Sequence, residues 1–224
     1  MKLSSVIISV VIVSIVASCN KTDFNYPDGT VGKSKIIYFP AIQIIGDKIT
    51  AIAEGTAYND PGATAVLNGA AVQYTTSTTI TAATSPGIYT ITYAAANAEG
   101  FTASDFRIVA VVPAAVATDP TVLANDFSGT YLRAATGVTS TWTSIGFGAY
   151  AVENPGGAGV GVGLYVVAEN NGGNSITIPE QDSPYYGGTV SSSGETYNPN
   201  PPATYTWVFH AAGYGTGPRT FTKQ

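Results

Sequence analysis

The sequence has little charge and almost no cysteine or histidine, and these shortages exclude several classes of site. Of 224 residues, only 10% are Asp, Glu, Lys or Arg, and the 14 acidic residues outnumber the 9 basic ones. A broad basic surface for nucleic acid is therefore excluded as a leading hypothesis. The one cysteine can form neither an internal disulfide nor a multi-cysteine zinc site, and the one histidine excludes a three-histidine metal site.

The chain is instead rich in apolar residues and turn formers. Its 45% hydrophobic content is enough for a packed core in one or two domains. The 25 glycines and 13 prolines predict many turns. Beyond the N-terminal segment, short strand-like runs alternate with turn signals and no comparable window has helical periodicity, so the sequence predicts an all-β protein.

Residues 1–18 have the features of an export signal. Lys2 precedes an apolar run from Leu3 to Val16, which is short for a membrane span. Residues 16–19 (VASC) resemble the lipobox of bacterial lipoproteins. The resemblance implies cleavage before Cys19 and membrane anchoring through acylated Cys19. An ordinary secretory signal and an uncleaved anchor are the alternatives, and residues 19–33 are predicted to be a flexible tether.

Residues 34–113 show the alternation of half-buried strands. Residues 87–93 (GIYTITY) place Tyr89, Ile91 and Tyr93 on one face, and residues 106–112 (FRIVAVV) show a second apolar face of alternate residues. In Asp60-Pro61-Gly62, the aspartate fits a turn cap better than a calcium loop, because few other acidic residues lie nearby.

Three motifs in this region carry a family resemblance. Residues 54–65 (EGTAYNDPGATA), 85–93 (SPGIYTITY) and 96–100 (ANAEG) resemble bacterial Ig-like domains of the hyalin-repeat type. The resemblance implies a seven-stranded β-sandwich, and such modules usually serve as spacers.

Residues 114–125 are predicted to be a short linker, and residues 126–224 a second antiparallel β-sandwich or barrel-like domain. One predicted strand covers 160–168. The glycine-rich stretch 156–163 matches no phosphate-loop pattern and predicts a turn leading into that strand. Residues 126–131 (DFSGTY), 154–159 (NPGGAG), 178–183 (IPEQDS) and 205–209 (YTWVF) resemble the C-terminal module of small Bacteroidetes lipoproteins, which are typically encoded beside outer-membrane glycan-uptake systems.

Few residues form a pattern typical of catalysis. Glu180 and Asp182 are the best carboxylate pair for a glycosidase, but a solvated loop is the favoured interpretation. His210 lies in a strand pattern without a nucleophile elbow nearby. The sequence therefore predicts no enzyme activity, no cofactor and no metal site.

Aromatic residues are the main candidates for ligand binding, because sugars stack on exposed aromatic rings. Core packing is the alternative for each of them, since β-sheets use Tyr and Trp heavily. The predicted ligand-binding residues are Trp142, Tyr185, Tyr186 and Trp207, with Glu180 and Asp182 as hydrogen-bonding partners.

These patterns lead to one functional hypothesis and one rival. The hypothesis is a lipid-anchored outer-membrane protein, facing the cell exterior, that binds an oligo- or polysaccharide through its C-terminal domain and works beside an outer-membrane glycan-uptake complex. In this hypothesis the Ig-like domain is a spacer. The rival is a structural or adhesive surface protein that acts through protein contacts without a small ligand. The sequence does not distinguish between the cell exterior and the periplasm as the side of the membrane that the protein faces.

Overall fold

The computed structural model describes Pro27, Thr30–Val31 and residues 34–224. The predicted signal peptide, Cys19 and most of the predicted tether lie outside the described residues. The chain divides after Tyr38 into two units. In the first, β1 (Thr30–Val31) pairs antiparallel with β2 (Ser34–Lys35). The second unit, Phe39–Gln224, is almost entirely β, which confirms the predicted fold class.

Seven strands in the N-terminal part of this unit form two sheets. One sheet has the order β3-β5-β6, and the other has the order β4-β9-β8-β7. Their bounds are β3 (Ala41–Ile44), β4 (Ile49–Ala53), β5 (Ala63–Leu67), β6 (Ala70–Ala71), β7 (Thr75–Thr76), β8 (Gly87–Ala96) and β9 (Thr102–Val112). Among these seven strands, only β4 and β9 pair in parallel. The predicted Ig-like sandwich is confirmed.

Strand β9 is buried on both faces, which explains its nearly continuous apolar sequence. Val109 and Val111 lie in the sandwich core with Ile91 and Tyr93 of β8. The alternate residues of β9, from Ile108 to Val112, belong to a second cluster outside the sandwich. The apolar face predicted for 106–112 therefore exists, and it packs against the C-terminal sheet.

The segment predicted as a linker is folded. It forms two short helical turns, α1 (Ala114–Ala117) and α2 (Pro120–Leu123). The Asp119 carboxylate caps α2 by accepting the Thr121 N–H at 2.7 Å, directly before Pro120 at the first helical position. Ala117 and Val122 are buried. No described helix has the length and apolar character needed to cross a membrane.

The C-terminal part is a single antiparallel sheet of nine strands, curled into a half-barrel. Its order is β14-β13-β12-β11-β10-β18-β17-β16-β15. The strands are β10 (Gly129–Arg133), β11 (Val138–Gly146), β12 (Ala149–Glu153), β13 (Tyr165–Asn170), β14 (Ile176–Thr177), β15 (Gln181–Ser183), β16 (Gly188–Asn198), β17 (Thr204–His210) and β18 (Arg219–Lys223). Its concave side holds an aromatic core that includes Phe127, Tyr131, Trp142, Tyr150, Tyr205, Trp207, Phe209 and Phe221.

The strand predicted over 160–168 begins only at Tyr165. Residues Gly159–Gly161 form a 3-10 turn instead, and Gly163 has a left-handed φ of +79°. The alternation of valine with glycine in this stretch therefore does not describe a sheet face. As a result, Val160 and Val162 are exposed.

A glutamine side chain connects the two ends of the curled sheet. Gln181 of β15 accepts the Val167 N–H through its amide oxygen at 2.9 Å, and its amide nitrogen donates to the Val167 carbonyl at 2.8 Å. The side chain thus bonds to β13 as a neighbouring strand would. A backbone bond from Ser192 N–H to the Ile178 carbonyl at 3.0 Å joins the same two ends.

Gln181→Leu is expected to lower the free energy of unfolding by about 2–6 kcal/mol. Leucine has a similar volume but leaves the buried N–H and carbonyl of Val167 without partners, at about 1–3 kcal/mol each. Urea unfolding followed by circular dichroism measures the loss. Gln43→Leu, on the exposed face of β3, is the matched control. Equal stability of the two variants would contradict the closing role of Gln181.

Candidate functional site

The two β modules share a hydrophobic cluster. The Ig-like module contributes Ala51 of β4 and Ile108 and Ala110 of β9 to this cluster. They pack against Ala149 of β12 and Val167 of β13 in the half-barrel. The outer face of the larger Ig-like sheet thus covers part of the convex face of the half-barrel. The Ig-like module therefore belongs to one compact unit with the half-barrel. This packing also creates the grooves along the junction.

A groove at the edge of this junction, called here the tyrosine groove, has a volume of about 590 Å³. That size is within the range of small-molecule binding sites. One wall comes from the β3–β4 turn and β4, and the other from β11, β12, β13 and the β15–β16 loop. Its lining residues are Asp47, Lys48, Ile49, Thr50, Thr143, Ser144, Ile145, Ala151, Tyr165 and Tyr185.

Tyr185 reaches the groove because of a tight hairpin loop. Between β15 and β16, the N–H groups of Tyr186 and Gly187 both bond to the Ser183 carbonyl, at 3.2 and 2.9 Å. Pro184 fixes φ at the start of this turn, and Gly187 ends it in the left-handed region with φ of +68°. The turn sends Tyr185 toward the Ig-like module and Tyr186 toward Phe209 and Tyr214.

Three aromatic rings form the apolar part of the groove and its support. The Tyr185 ring lies 5.5 Å from the Tyr165 ring and 5.0 Å from the Phe106 ring, measured between centroids. Burial raises the pKa of the Tyr185 hydroxyl, and Tyr165 and Asp105 raise it further. Burial also raises the pKa of Tyr165, with the Glu153 carboxylate adding to the effect. Both hydroxyls therefore stay protonated and can donate hydrogen bonds.

The polar residues of the groove surround these rings. The Lys48 ammonium lies 2.6 Å from the Asp105 carboxylate and 4.4 Å from the centroid of Phe106. Thr143 and Ser144 are exposed, as is Asp47. The groove thus combines ring faces with hydroxyl and carboxylate groups. Among the described residues, no three His, Cys, Asp or Glu side chains are grouped so that they could hold a metal ion.

The expectation that Trp142 and Trp207 face a ligand is wrong. Trp142 is 2% exposed and Trp207 is fully buried, because strand alternation turns both rings toward the concave core of the half-barrel. The two indoles stack on each other, with centroids 5.5 Å apart and an interplanar angle of 23°. Trp142 sits in a polar strand, but its polar neighbour on the same face, Ser140, is itself buried and bonds to the Glu153 carbonyl.

The remaining predicted residues are divided between different places. Tyr186 is half-buried and packs against the aromatic core of the half-barrel. Its ring therefore does not lie beside that of Tyr185. Glu180 and Asp182 are exposed and flank a separate depression of about 220 Å³, together with Ile88 and Thr189. The Asp182 carboxylate accepts the Thr189 hydroxyl at 3.2 Å. Of the six predicted residues, the structure places only Tyr185 in the tyrosine groove.

His210 makes a cross-strand contact with a serine. Its Nε2 lies 2.7 Å from the Ser193 hydroxyl, on adjacent strands β16 and β17. Across residues 34–224, no carboxylate bonds to the other ring nitrogen. The pair is an exposed hydrogen bond between neighbouring strands, and neither residue lines the tyrosine groove.

Sequence reasoning missed most of the groove. Asp47 and Lys48 belong to a turn with no recognisable motif. Thr143 and Ser144 belong to strand β11, in which only Trp142 was predicted to bind a ligand. Tyr165 is one of several aromatic residues of the C-terminal module, and no local sequence feature distinguishes it from the others. No local pattern could identify these residues, because the groove exists only where two modules pack together.

Comparison with known proteins agrees with the fold of the N-terminal module. Residues 42–111 match the family described as bacterial surface protein, Ig-like domain. The matched range runs from β3 into β9 and lies within the predicted 34–113. Residues 42–111 are therefore similar to the Ig-like domains of bacterial surface proteins, and the boundaries given from the sequence remain predictions.

We also compared the chain with solved structures and with curated protein sequences. The crystal structure of a lipoprotein from Bacteroides thetaiotaomicron is similar over 83% of this chain and 100% of that chain, with 24% sequence identity and a TM-score of 0.44. No curated protein sequence matches the chain.

Proposed function

We propose that this chain is a lipid-anchored surface protein, acylated at Cys19, that binds an oligo- or polysaccharide in the tyrosine groove. The outer membrane, with the protein facing the exterior, is the proposed location, and an outer-membrane glycan-uptake complex is the proposed partner. The surface-protein Ig-like domain supports the location. The role is binding without catalysis or a cofactor.

The observation that carries this proposal is the pair of half-buried tyrosines in a groove lined with hydroxyl groups. The ring centroids of Tyr165 and Tyr185 lie 5.5 Å apart at an interplanar angle of 53°, and the hydroxyl-bearing residues Thr50, Thr143 and Ser144 also line the groove. Aromatic faces suit the C–H faces of sugars, and the surrounding hydroxyls suit their oxygens. Because the Ig-like module supplies one wall, its proposed role goes beyond that of a spacer.

Tyr185→Ala is expected to weaken glycan binding about tenfold or more, since burying an aromatic side chain contributes about 1.5–3 kcal/mol. The measurement is affinity electrophoresis of the full chain, purified in mild detergent, through gels containing plant, host or microbial polysaccharides. Tyr89→Ala is the matched control, because Tyr89 is also half-buried but packs in the sandwich core.

Two results would contradict the proposal. One is a wild-type chain that no polysaccharide retards. The other is a retarded chain whose mobility Tyr185→Ala leaves unchanged while thermal melting shows that the variant is folded.

The second candidate function is adhesion to another protein, and one observation favours it. Val160 and Val162, in the glycine-rich loop before β13, are 82% and 65% exposed. Large exposed apolar side chains in a group are typical of protein contacts. If no glycan binds and Val160→Ser with Val162→Ser abolishes cell or protein adhesion, this second function replaces the first.

A further inference from the structure

The tyrosine groove adjoins a second space on the Ig-like module. A second cavity of about 140 Å³, called here the Asn59 cavity, is lined by Asp47, Thr50, Tyr58, Asn59, Pro61 and Arg107. Asp47 and Thr50 also line the tyrosine groove. The two spaces therefore adjoin at these two residues, over which a chain-like ligand filling both spaces would pass.

The cations beside these spaces are neutralised within the protein. Lys48 pairs with Asp105 at 2.6 Å. Arg107 is 1% exposed, donates to the Tyr58 hydroxyl at 2.8 Å and lies 3.5 Å from the Asp60 carboxylate. Neither side chain is left with an uncompensated charge for an anionic ligand.

The uncompensated charge along this path is negative. Asp47 is exposed where the two spaces adjoin, and among the described residues no cation pairs with it. Glu153, which lies opposite Tyr165 in the β12–β13 register and accepts the Gly163 N–H at 2.7 Å, adds a second carboxylate near the tyrosine groove without lining it. Carboxylates accept hydrogen bonds from hydroxyl groups and repel sulfates and uronates.

We propose that a neutral, hydroxyl-rich oligosaccharide spans both spaces, with Asp47 accepting hydroxyl groups where the spaces adjoin and Asn59 bonding the sugar in the Asn59 cavity. This rests on the proposed glycan-binding function and adds to it a second subsite and a class of ligand. The polar groups of this subsite come from the Ig-like module.

The test is isothermal titration calorimetry of the full chain with neutral oligosaccharides, from disaccharide to hexasaccharide, of a polymer that retards the wild type. Affinity is expected to rise with length until both spaces are filled. Asn59→Ala is expected to weaken the affinity about threefold to tenfold, and only for the longer oligomers. This is the effect of losing one hydrogen bond. Asn200→Ala, at an exposed position of the half-barrel, is the matched control.

A second arm tests the charge. Sulfated dextran is expected to bind weakly or not at all, and Asp47→Asn is expected to strengthen its binding about threefold to fivefold at low salt. Preference of the wild type for sulfated dextran over every neutral polymer would overturn the proposed ligand class.

The outcomes separate the two proposals. If Tyr185→Ala weakens binding but Asn59→Ala equals the control at every oligomer length, the second subsite is wrong and the glycan-binding function stands. If no polymer, neutral or sulfated, binds the wild type, both proposals are wrong.

Discussion

Arg107→Met is expected to lower the free energy of unfolding by about 3–5 kcal/mol, because it leaves a partly buried carboxylate without its counter-ion. Arg107 donates to the Tyr58 hydroxyl and to the carbonyls of Ile45 and Gly62. Asp60, 3.5 Å from the guanidinium, also accepts the Tyr93 hydroxyl at 2.7 Å. Urea unfolding followed by circular dichroism measures the effect.

Lys48→Met is the comparison variant, because Lys48 is a more exposed cation. Lys48→Met removes a cation from a pair whose side chains are 40% and 28% exposed, and is expected to cost about 1 kcal/mol or less. Arg107→Lys is expected to recover little of the lost stability, because lysine lacks the planar fork that reaches several acceptors. Equal losses for Arg107→Met and Lys48→Met would contradict the central role of Arg107.

The Arg107 network also explains the Asp60-Pro61-Gly62 turn. The Asp60 carboxylate accepts the Gly62 N–H at 3.0 Å, which is the turn-capping geometry that the sequence favoured over a calcium loop. Burial by itself would lower the pKa of Arg107, but the hydrogen bond to Tyr58 and the nearby Asp60 outweigh it and raise that pKa. The guanidinium therefore stays charged inside the sandwich.

Trp207→Ala is the second large effect, with an expected loss of about 3–5 kcal/mol of unfolding free energy. The ring is fully buried, stacks on Trp142 and donates from Nε1 to the Pro155 carbonyl at 2.9 Å. For a unit of this size, each kcal/mol lowers the melting temperature by about 2–4 °C. Differential scanning calorimetry measures the shift.

Trp207→Phe distinguishes a core role from a ligand-binding role. Phenylalanine keeps most of the packing but loses the bond to Pro155, so we expect a smaller drop in melting temperature and unchanged glycan affinity. A variant that melts like the wild type but binds glycan more weakly would show that the ring serves a ligand after all.

If the proposed site is correct, docking of the two modules is part of the function. The shared cluster of Ala51, Ile108, Ala149 and Val167 holds the walls of the tyrosine groove at a fixed separation. A stalk-like Ig module joined by a free linker could not do this. The turns α1 and α2 fold at the junction, where Ala117 belongs to the shared cluster and Val122 is buried.

Local sequence determined the strands and several turns of this protein. Alternation in residues 87–93 and 106–112 gave the faces of β8 and β9, and the Pro184 to Gly187 segment gave a tight hairpin loop. These features follow from contacts between near neighbours in the chain, because side-chain direction in a strand and φ at Pro and Gly are set locally.

Only the tertiary structure decided which of those faces meets solvent. Trp142 lies on a polar strand and is buried because the half-barrel curls over it, while the adjacent Tyr185 and Tyr186 are sent to opposite sides by one turn. Asp47, Thr50 and Tyr165 become neighbours only when the Ig-like sheet packs on the half-barrel. Strand alternation fixes which residues share a face, but what covers that face depends on long-range packing, which no local pattern encodes.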